Sequence, residues 1–237
     1  MAEALQIIDA NDVARAELEI FYDEILAPSF DSAELVQRSE LLGALADRTS
    51  VTRGAIAFDG AGLIVGGIIG DWFAQSRVIL ISYLAARPGF RGRGIGKRLM
   101  AEVLPAWISH FDAVLVVAEV EDPRFYQADE YHGDPEARLR LYAGLGARIL
   151  RIPYFQPALS AQQPRMRNLF LMVFSADRSV MRGNDSIDAS TLRGFIEEYV
   201  GGAEGDVDDD EIRAVREALQ ANDGVPLADP AEYLRKA

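Results

Sequence analysis

The chain has no cysteine. That removes disulfides, zinc–thiolate centres and a thiol nucleophile, and it fits a reducing compartment such as the cytoplasm. Histidine is nearly as scarce. The two present, His110 and His132, are far apart in sequence and offer no metal-ligand spacing, so no metal is expected. Long apolar runs are missing too. The most hydrophobic stretches, residues 63–69 and 78–84, stop well short of the ~20 residues a membrane-spanning helix needs. The first residues carry neither a basic nor an apolar segment, so neither a membrane partner nor a secretory leader is expected.

Cations are in the minority, 24 Lys and Arg against 37 Asp and Glu, for a formal net charge of −13 over 237 residues. A broad phosphate-binding surface is hard to build from such a chain, which argues against nucleic acid as a partner. The acidity either steers a cationic substrate or serves only solubility. There are two local exceptions. Arg151, Arg165, Arg167, Arg178 and Arg182 form a basic stretch with no obvious ligand. Between residues 77 and 98 no acidic residue occurs, while Arg77, Arg87, Arg91, Arg93, Lys97 and Arg98 are all basic.

That second exception coincides with the strongest motif. Residues 78–84 (VILISYL) read as a buried strand, Pro88-Gly89 as a turn, and Arg91-Gly92-Arg93-Gly94-Ile95-Gly96 as a glycine-rich passage into a helix starting near Ile95. Strand, glycine turn and helix start together suit an anion. Glycine permits close backbone approach, and the first helical turn has unpaired N–H groups on the positive end of its dipole.

Around this motif the periodicities predict helices near 12–26 and 31–47, a hairpin over 51–58 and 63–73, and a strand from 78 to 86. A helix over 95–109 follows, kinked or shortened by Pro105. Further strands are expected at 113–120, 147–155 and 168–174, with a helix at 135–145. Residues 122–134 read as an aromatic loop. Composition shifts after about residue 182, where two acidic helices, near 190–200 and 209–221, flank a glycine-rich linker. The expected domains are therefore 1–182 and a helical C-terminal extension, 183–237, packed on the core. The run Asp206-Val207-Asp208-Asp209-Asp210-Glu211 lacks the glycine a calcium loop requires at its sixth position and reads as a helix start.

Arg-x-x-Gly-x-Gly at 91–96, after a strand ending Leu84-Ala85-Ala86, resembles the first signature of the GNAT superfamily of N-acetyltransferases. The later Leu141-Tyr142-Ala143-Gly144-Leu145-Gly146-Ala147 resembles the second. The resemblance covers about residues 5–174. It implies an α/β (α+β) fold with a central mixed, mostly antiparallel twisted sheet of about six to seven strands flanked by helices. Two parallel strands would splay at the cofactor cleft. It further implies acetyl-CoA or another acyl-CoA as donor, its pyrophosphate on the backbone of Arg91, Gly92, Arg93, Gly94, Ile95, Gly96 and Lys97. The pantetheine arm would run along Leu84, Ala85 and Ala86, with the Leu84 N–H facing the thioester oxygen.

Tyr142 would then protonate the leaving thiolate, close enough to contact the cofactor as well. Glu119 and Glu121, two apart at a strand end, are the candidate bases, with Tyr83, Asp122 and His132 behind them. Where many members carry an Asn before the second-signature helix, this chain has Asp134-Pro135 after a longer loop, whose Phe125, Tyr126 and Tyr131 suit an acceptor-site wall. With no thiol available, acyl transfer to a primary amine of a small molecule or peptide would be direct, in a ternary complex. Two other readings stay open: an aminoacyl-tRNA donor on the same fold, and a non-catalytic CoA-binding relative. A homodimer also remains open.

Overall fold

Residues 5–129, 133–221 and 223–234 are described by the computed structural model. In chain order they form β1 (Gln6–Asp9), α1 (Arg15–Phe21), α2 (Arg38–Ala46), β2 (Thr52–Phe58), β3 (Ile64–Phe73) and β4 (Val78–Ala86). Next come α3 (Ile95–Phe111), β5 (Leu115–Glu121), α4 (Pro135–Gly144), β6 (Arg148–Leu150) and β7 (Leu169–Ala176). The last elements are β8 (Ser186–Asp188), α5 (Ala189–Glu204), α6 (Asp210–Gln220) and β9 (Gly224–Ala228). This is the expected α/β class, mostly antiparallel with one parallel pair. The described residues form a sheet of nine strands, against an expectation of six or seven. The surplus includes β8 and β9, three and five residues long, too short to show a period in the sequence. The chain divides into two compact units. One takes in Met1–Trp72, Ile81–Phe111 and Asp129–Gly133, the other Phe73–Leu80, Asp112–Ala128 and Asp134–Ala237.

In the first unit the strands run in the order β1, β2, β3 and the later part of β4. β2 and β3 are the expected hairpin, closed by Asp59, whose carboxylate accepts the N–H groups of Ala61 and Leu63 at 2.9 Å. Leu18, Phe21 and Ile25 pack with Leu42 and Leu45 of α2 and with Ile56, Ile69 and Tyr83 of the sheet. β3 carries glycine where its neighbours come closest. A Cβ on Gly67 would lie 2.6 Å from the Phe21 ring, and one on Gly66 2.7 Å from the Ala85 carbonyl and 2.8 Å from Ile95. Two helices depart from expectation. α2 starts at Arg38 because Tyr83 engages the backbone of the preceding turn: its phenol donates to Glu34 O at 2.8 Å and accepts the Val36 N–H at 3.0 Å. α3 runs through Pro105 to Phe111. Pro105 is exposed, so water can serve the carbonyl it leaves unpaired. The buried stripe Leu99, Val103, Leu104 and Trp107 holds the helix in place.

In the second unit the start of β4 is followed by β5, β7, β6, β9 and β8. β5 and β7 are antiparallel. Val116 faces Ser175 and Val117 faces Val173, which leaves Phe174 as the extra residue of a bulge. β6 is only three residues long, not the nine expected. The Ile152 N–H turns back to Leu150 O at 3.0 Å, and Pro153 has no N–H to extend the ladder. Residues after 183 supply the two expected helices and also two strands, β9 pairing with β6 and with β8. Leu192, Phe195 and Ile196 of α5 and Ile212, Val215 and Leu219 of α6 share one core with Leu80, Leu115, Val117 and Leu171.

The basic stretch meets its partners here. Arg151 pairs with Glu232, Arg167 with Glu211 and Arg182 with Asp188. Arg165 is the hub. It contacts Glu204 at 2.5 Å, Asp209 at 2.7 Å and Glu211 at 3.0 Å, and lies 4.3 Å over the Phe155 ring. Arg165 and Glu204 are each only 11% exposed in their side chains, and Glu204 also accepts the Ala158 N–H at 2.7 Å. Asp209 additionally caps α6, accepting from Glu211 and Ile212 N–H at 3.0 and 3.1 Å.

Candidate active site

The glycine-rich passage turns the chain from strand to helix with its backbone exposed. Gly92 and Gly94 adopt φ of 78° and 81°, left-handed values natural to glycine, and a Cβ on either would meet nothing within 4 Å. The first bond of α3 is from the Arg98 N–H to Gly94 O at 3.0 Å. The N–H groups of Gly92, Gly94, Ile95, Gly96 and Lys97 find no acceptor among the described residues. Five free donors beside open space on a helix start fit a pyrophosphate.

The arginines are otherwise engaged. Arg91 donates to the Ser29 hydroxyl at 3.2 Å, Arg93 lies 4.5 Å over the Phe90 ring, and Arg98 pairs with Glu102 at 2.6 Å. Arg87 reaches Ile64 O at 2.6 Å and Glu24. The backbone N–H groups are the donors this loop leaves without a partner, and the Lys97 side chain is exposed beside them. In β4, Tyr83 and Ala85 turn into the core of the first unit while Leu84 and Ala86 are only half-buried.

Of the candidates for proton transfer, Tyr142, Glu119, Glu121 and Asp122 belong to the second unit and Tyr83 to the first. Tyr142 sits on α4, its ring edge-on to the bulge residue Phe174 at 5.0 Å. The ring is buried, yet its hydroxyl has no hydrogen-bond partner among the described residues. Burial lifts the phenol above its usual range, and the charge of Arg138 works weakly the other way. Asp134 is committed to α4 as its N-cap, accepting the Glu136 N–H at 2.9 Å, with Pro135 in the first helical turn.

The two glutamates differ in their surroundings. Glu121 is tied to the Arg138 guanidinium at 2.8 Å. Glu119 accepts from the Tyr154 phenol at 2.7 Å and from the Tyr199 phenol at 3.4 Å. Tyr154 is pushed well above its ordinary value, first by burial and then by the charge of Glu119. Of the weaker candidates, Asp122 is buried and gripped by Arg124 through two 2.9 Å contacts. Tyr83 spends its hydroxyl on backbone, as described above. His132 and Tyr131 lie outside the described residues. Tyr154 and Tyr199 were missed in the sequence. One stands in an apolar Pro-Tyr-Phe run and the other on a helix face, and nothing in either context points to Glu119.

The model of the Acetyltransferase (GNAT) family matches residues 17–132, from α1 through the cradle and beyond β5. Just under half of the chain, residues 17–132, thus resembles the GNAT superfamily. The matched family is one of acetyltransferases. No curated protein matches it. Solved structures share the GNAT fold at low identity. An acetyltransferase assigned to the GNAT family from Bacteroides thetaiotaomicron has a TM-score of 0.56 at 22% identity, covering 83% of this chain and 98% of its own. An Acinetobacter baylyi protein described as an acetyltransferase gives 0.52 at 15%, over 78% and 100%. NAA60 of Arabidopsis thaliana, solved with a bisubstrate analogue, gives 0.50 at 16%, over 72% and 97%. The GNAT match ends before α4, so Tyr142 lies beyond the matched residues.

Proposed function

We propose that this GNAT enzyme transfers an acyl group from an acyl-CoA, acetyl-CoA first among them, directly to a primary amine of a small molecule or peptide. The row of free N–H donors at Gly92 and Gly94–Lys97 carries this reading, because it is a ready-made seat for the donor's pyrophosphate. When bound, the donor supplies an activated thioester carbonyl. Leu84, Ala85 and Ala86 guide its arm along the half-buried edge of β4, with the Leu84 N–H as oxyanion donor.

Tyr142 is the general acid. Its unpartnered hydroxyl gives a proton to the departing sulfur, and its raised pKa keeps that proton in place at neutral pH. Glu119 is favoured over Glu121 as base, because two neutral phenols donate to it, whereas the Arg138 guanidinium holds Glu121. It takes the proton lost by the attacking nitrogen as the N–C bond forms and the C–S bond breaks.

The test is thermal unfolding with CoA or acetyl-CoA. A ligand at 100 times its Kd stabilises by ~2.7 kcal/mol, which for a chain of this size raises Tm by roughly 5–10 °C. No shift at millimolar ligand would sink the proposal. Release of CoA thiol that depends on an added amine separates the enzyme from a non-catalytic CoA binder.

A further inference from the structure

The second unit contains a cavity of about 720 Å³ that the family signatures do not touch. It is built from three places in the chain: the end of β5 and the residues after it, the segment around β6 and the start of β7, and the extension through α6 and Tyr233. Its size suits a whole small molecule.

Phe125, Tyr154, Phe155, Phe170 and Tyr233 give its wall an aromatic character. Phe125 is 62% exposed, an unusual cost for a phenylalanine unless something covers it. Phe170 and Tyr233 meet edge-on at 4.7 Å, and the Arg124 guanidinium lies 4.9 Å over the Tyr233 ring.

The charges lining the cavity decide what it can hold. It has three carboxylates, and each is already paired: Asp122 with Arg124, Asp210 with Arg213, and Glu211 with Arg167 and Arg165. Its three guanidiniums are paired as well, Arg151 with Glu232. A polycation entering here must compete with a guanidinium for each carboxylate, and an anion must compete with a carboxylate for each guanidinium. An apolar or aromatic body loses nothing by comparison and gains ring contacts.

One wall residue links the cavity to proton transfer. Tyr154 lines it and donates its phenol hydrogen to Glu119 at 2.7 Å.

We infer that this cavity receives the body of the acceptor, and that the acceptor is a monoamine with an aromatic or similarly apolar body, not a polyamine or an acidic amine. Identifying the occupant as the acceptor rests on the transferase reading above. The cavity's preference for an aromatic amine does not.

The probes are 2-phenylethylamine and spermidine. Ala214, an exposed residue of α6 on the cavity wall, is the site to block it. Ligand-observed NMR should detect phenylethylamine on the wild-type protein and lose it on Ala214→Trp, whether or not the donor reading holds. With acetyl-CoA present, kcat/KM for phenylethylamine should exceed that for spermidine at least ~10-fold, the equivalent of one or two buried methylenes. Ala214→Trp should raise KM for the aromatic amine ~10-fold or more while the Tm rise with CoA stays unchanged. Preference for spermidine, or an Ala214→Trp variant that binds phenylethylamine as the wild type does, overturns the inference. A missing CoA shift with intact phenylethylamine binding overturns the donor reading alone.

Discussion

Arg165→Ala removes the single cation that three carboxylates of the C-terminal region share. Asp209 and Glu211 are 44% and 37% exposed in their side chains, so solvent screens most of what they lose. Glu204 is different. At 11% exposure it would keep only the Ala158 N–H against the cost of a buried charge. Breaking a buried pair by deleting one partner costs about 3–5 kcal/mol, against a total stability of about 5–15 kcal/mol for a typical protein.

The pH dependence follows from the same cluster. The hydrogen bond from Arg165 is the main cause holding the Glu204 carboxyl below its ordinary 4.5, whereas Asp209 is held down first by the Ile212 N–H and Glu211 first by Arg167, with Arg165 adding to both. A carboxylate whose folded pKa is depressed adds stability above its unfolded value. That stability fades as pH falls through the folded one. In the variant the main cause of the Glu204 depression is gone, only the Ala158 N–H still favours the charged form, and Glu204 can accept a proton to shed the penalty. The deficit should therefore be widest at pH 7 and clearly narrower at pH 4. Urea unfolding followed by circular dichroism at both values measures it. A loss under about 1 kcal/mol at pH 7, or an equal loss at pH 4, would refute the reasoning. Pairing Arg165→Met with Glu204→Leu should recover most of the stability, since an apolar pair of similar volume has no charge left to bury.

Gly94→Val forces a branched side chain into left-handed backbone, at a cost of roughly 1–2 kcal/mol or more, and fills the open space over the free N–H groups. The Tm rise with CoA should vanish while the fold survives. Gly66→Ala drives a methyl against the Ala85 carbonyl and Ile95. It should lower stability by about 1–3 kcal/mol and weaken CoA binding, because Ile95 opens α3; calorimetry and the same thermal assay report both. Tyr142→Phe should reduce kcat by ~10²-fold or more and leave KM for the donor nearly unchanged, as steady-state thiol release will show. With the phenol's pKa raised by burial, the wild-type rate should not fall on the basic side until above pH 10 on account of this group.

What was legible in advance was local. The cradle is a contiguous run whose glycines and helix start act on their own immediate backbone, so residues 91–97 announced it without a fold. The Asp59 hairpin and the acidic helix start near Asp209 are of the same kind, whereas the reach of β6 was overestimated because its apolar run continues past Pro153. The sequence also held the charge segregation, basic around 151–182 and acidic after 183, but not its meaning. Only the fold brings Glu204, Asp209 and Glu211 onto Arg165 and turns an apparent ligand patch into an internal seam.

The same holds for the chemistry around Glu119. Its partners stand 35 and 80 residues away, and their identity depends on which segment follows β6 and which face of α5 turns inward. No period or motif encodes such a meeting, because each side chain is unremarked in its own stretch. By itself the sequence determined where an anion could be held, since backbone donors and glycines need no distant partner. The tertiary structure alone decided which carboxylates are free, paired or backed by phenols, because that depends on neighbours which the chain supplies only once it is packed.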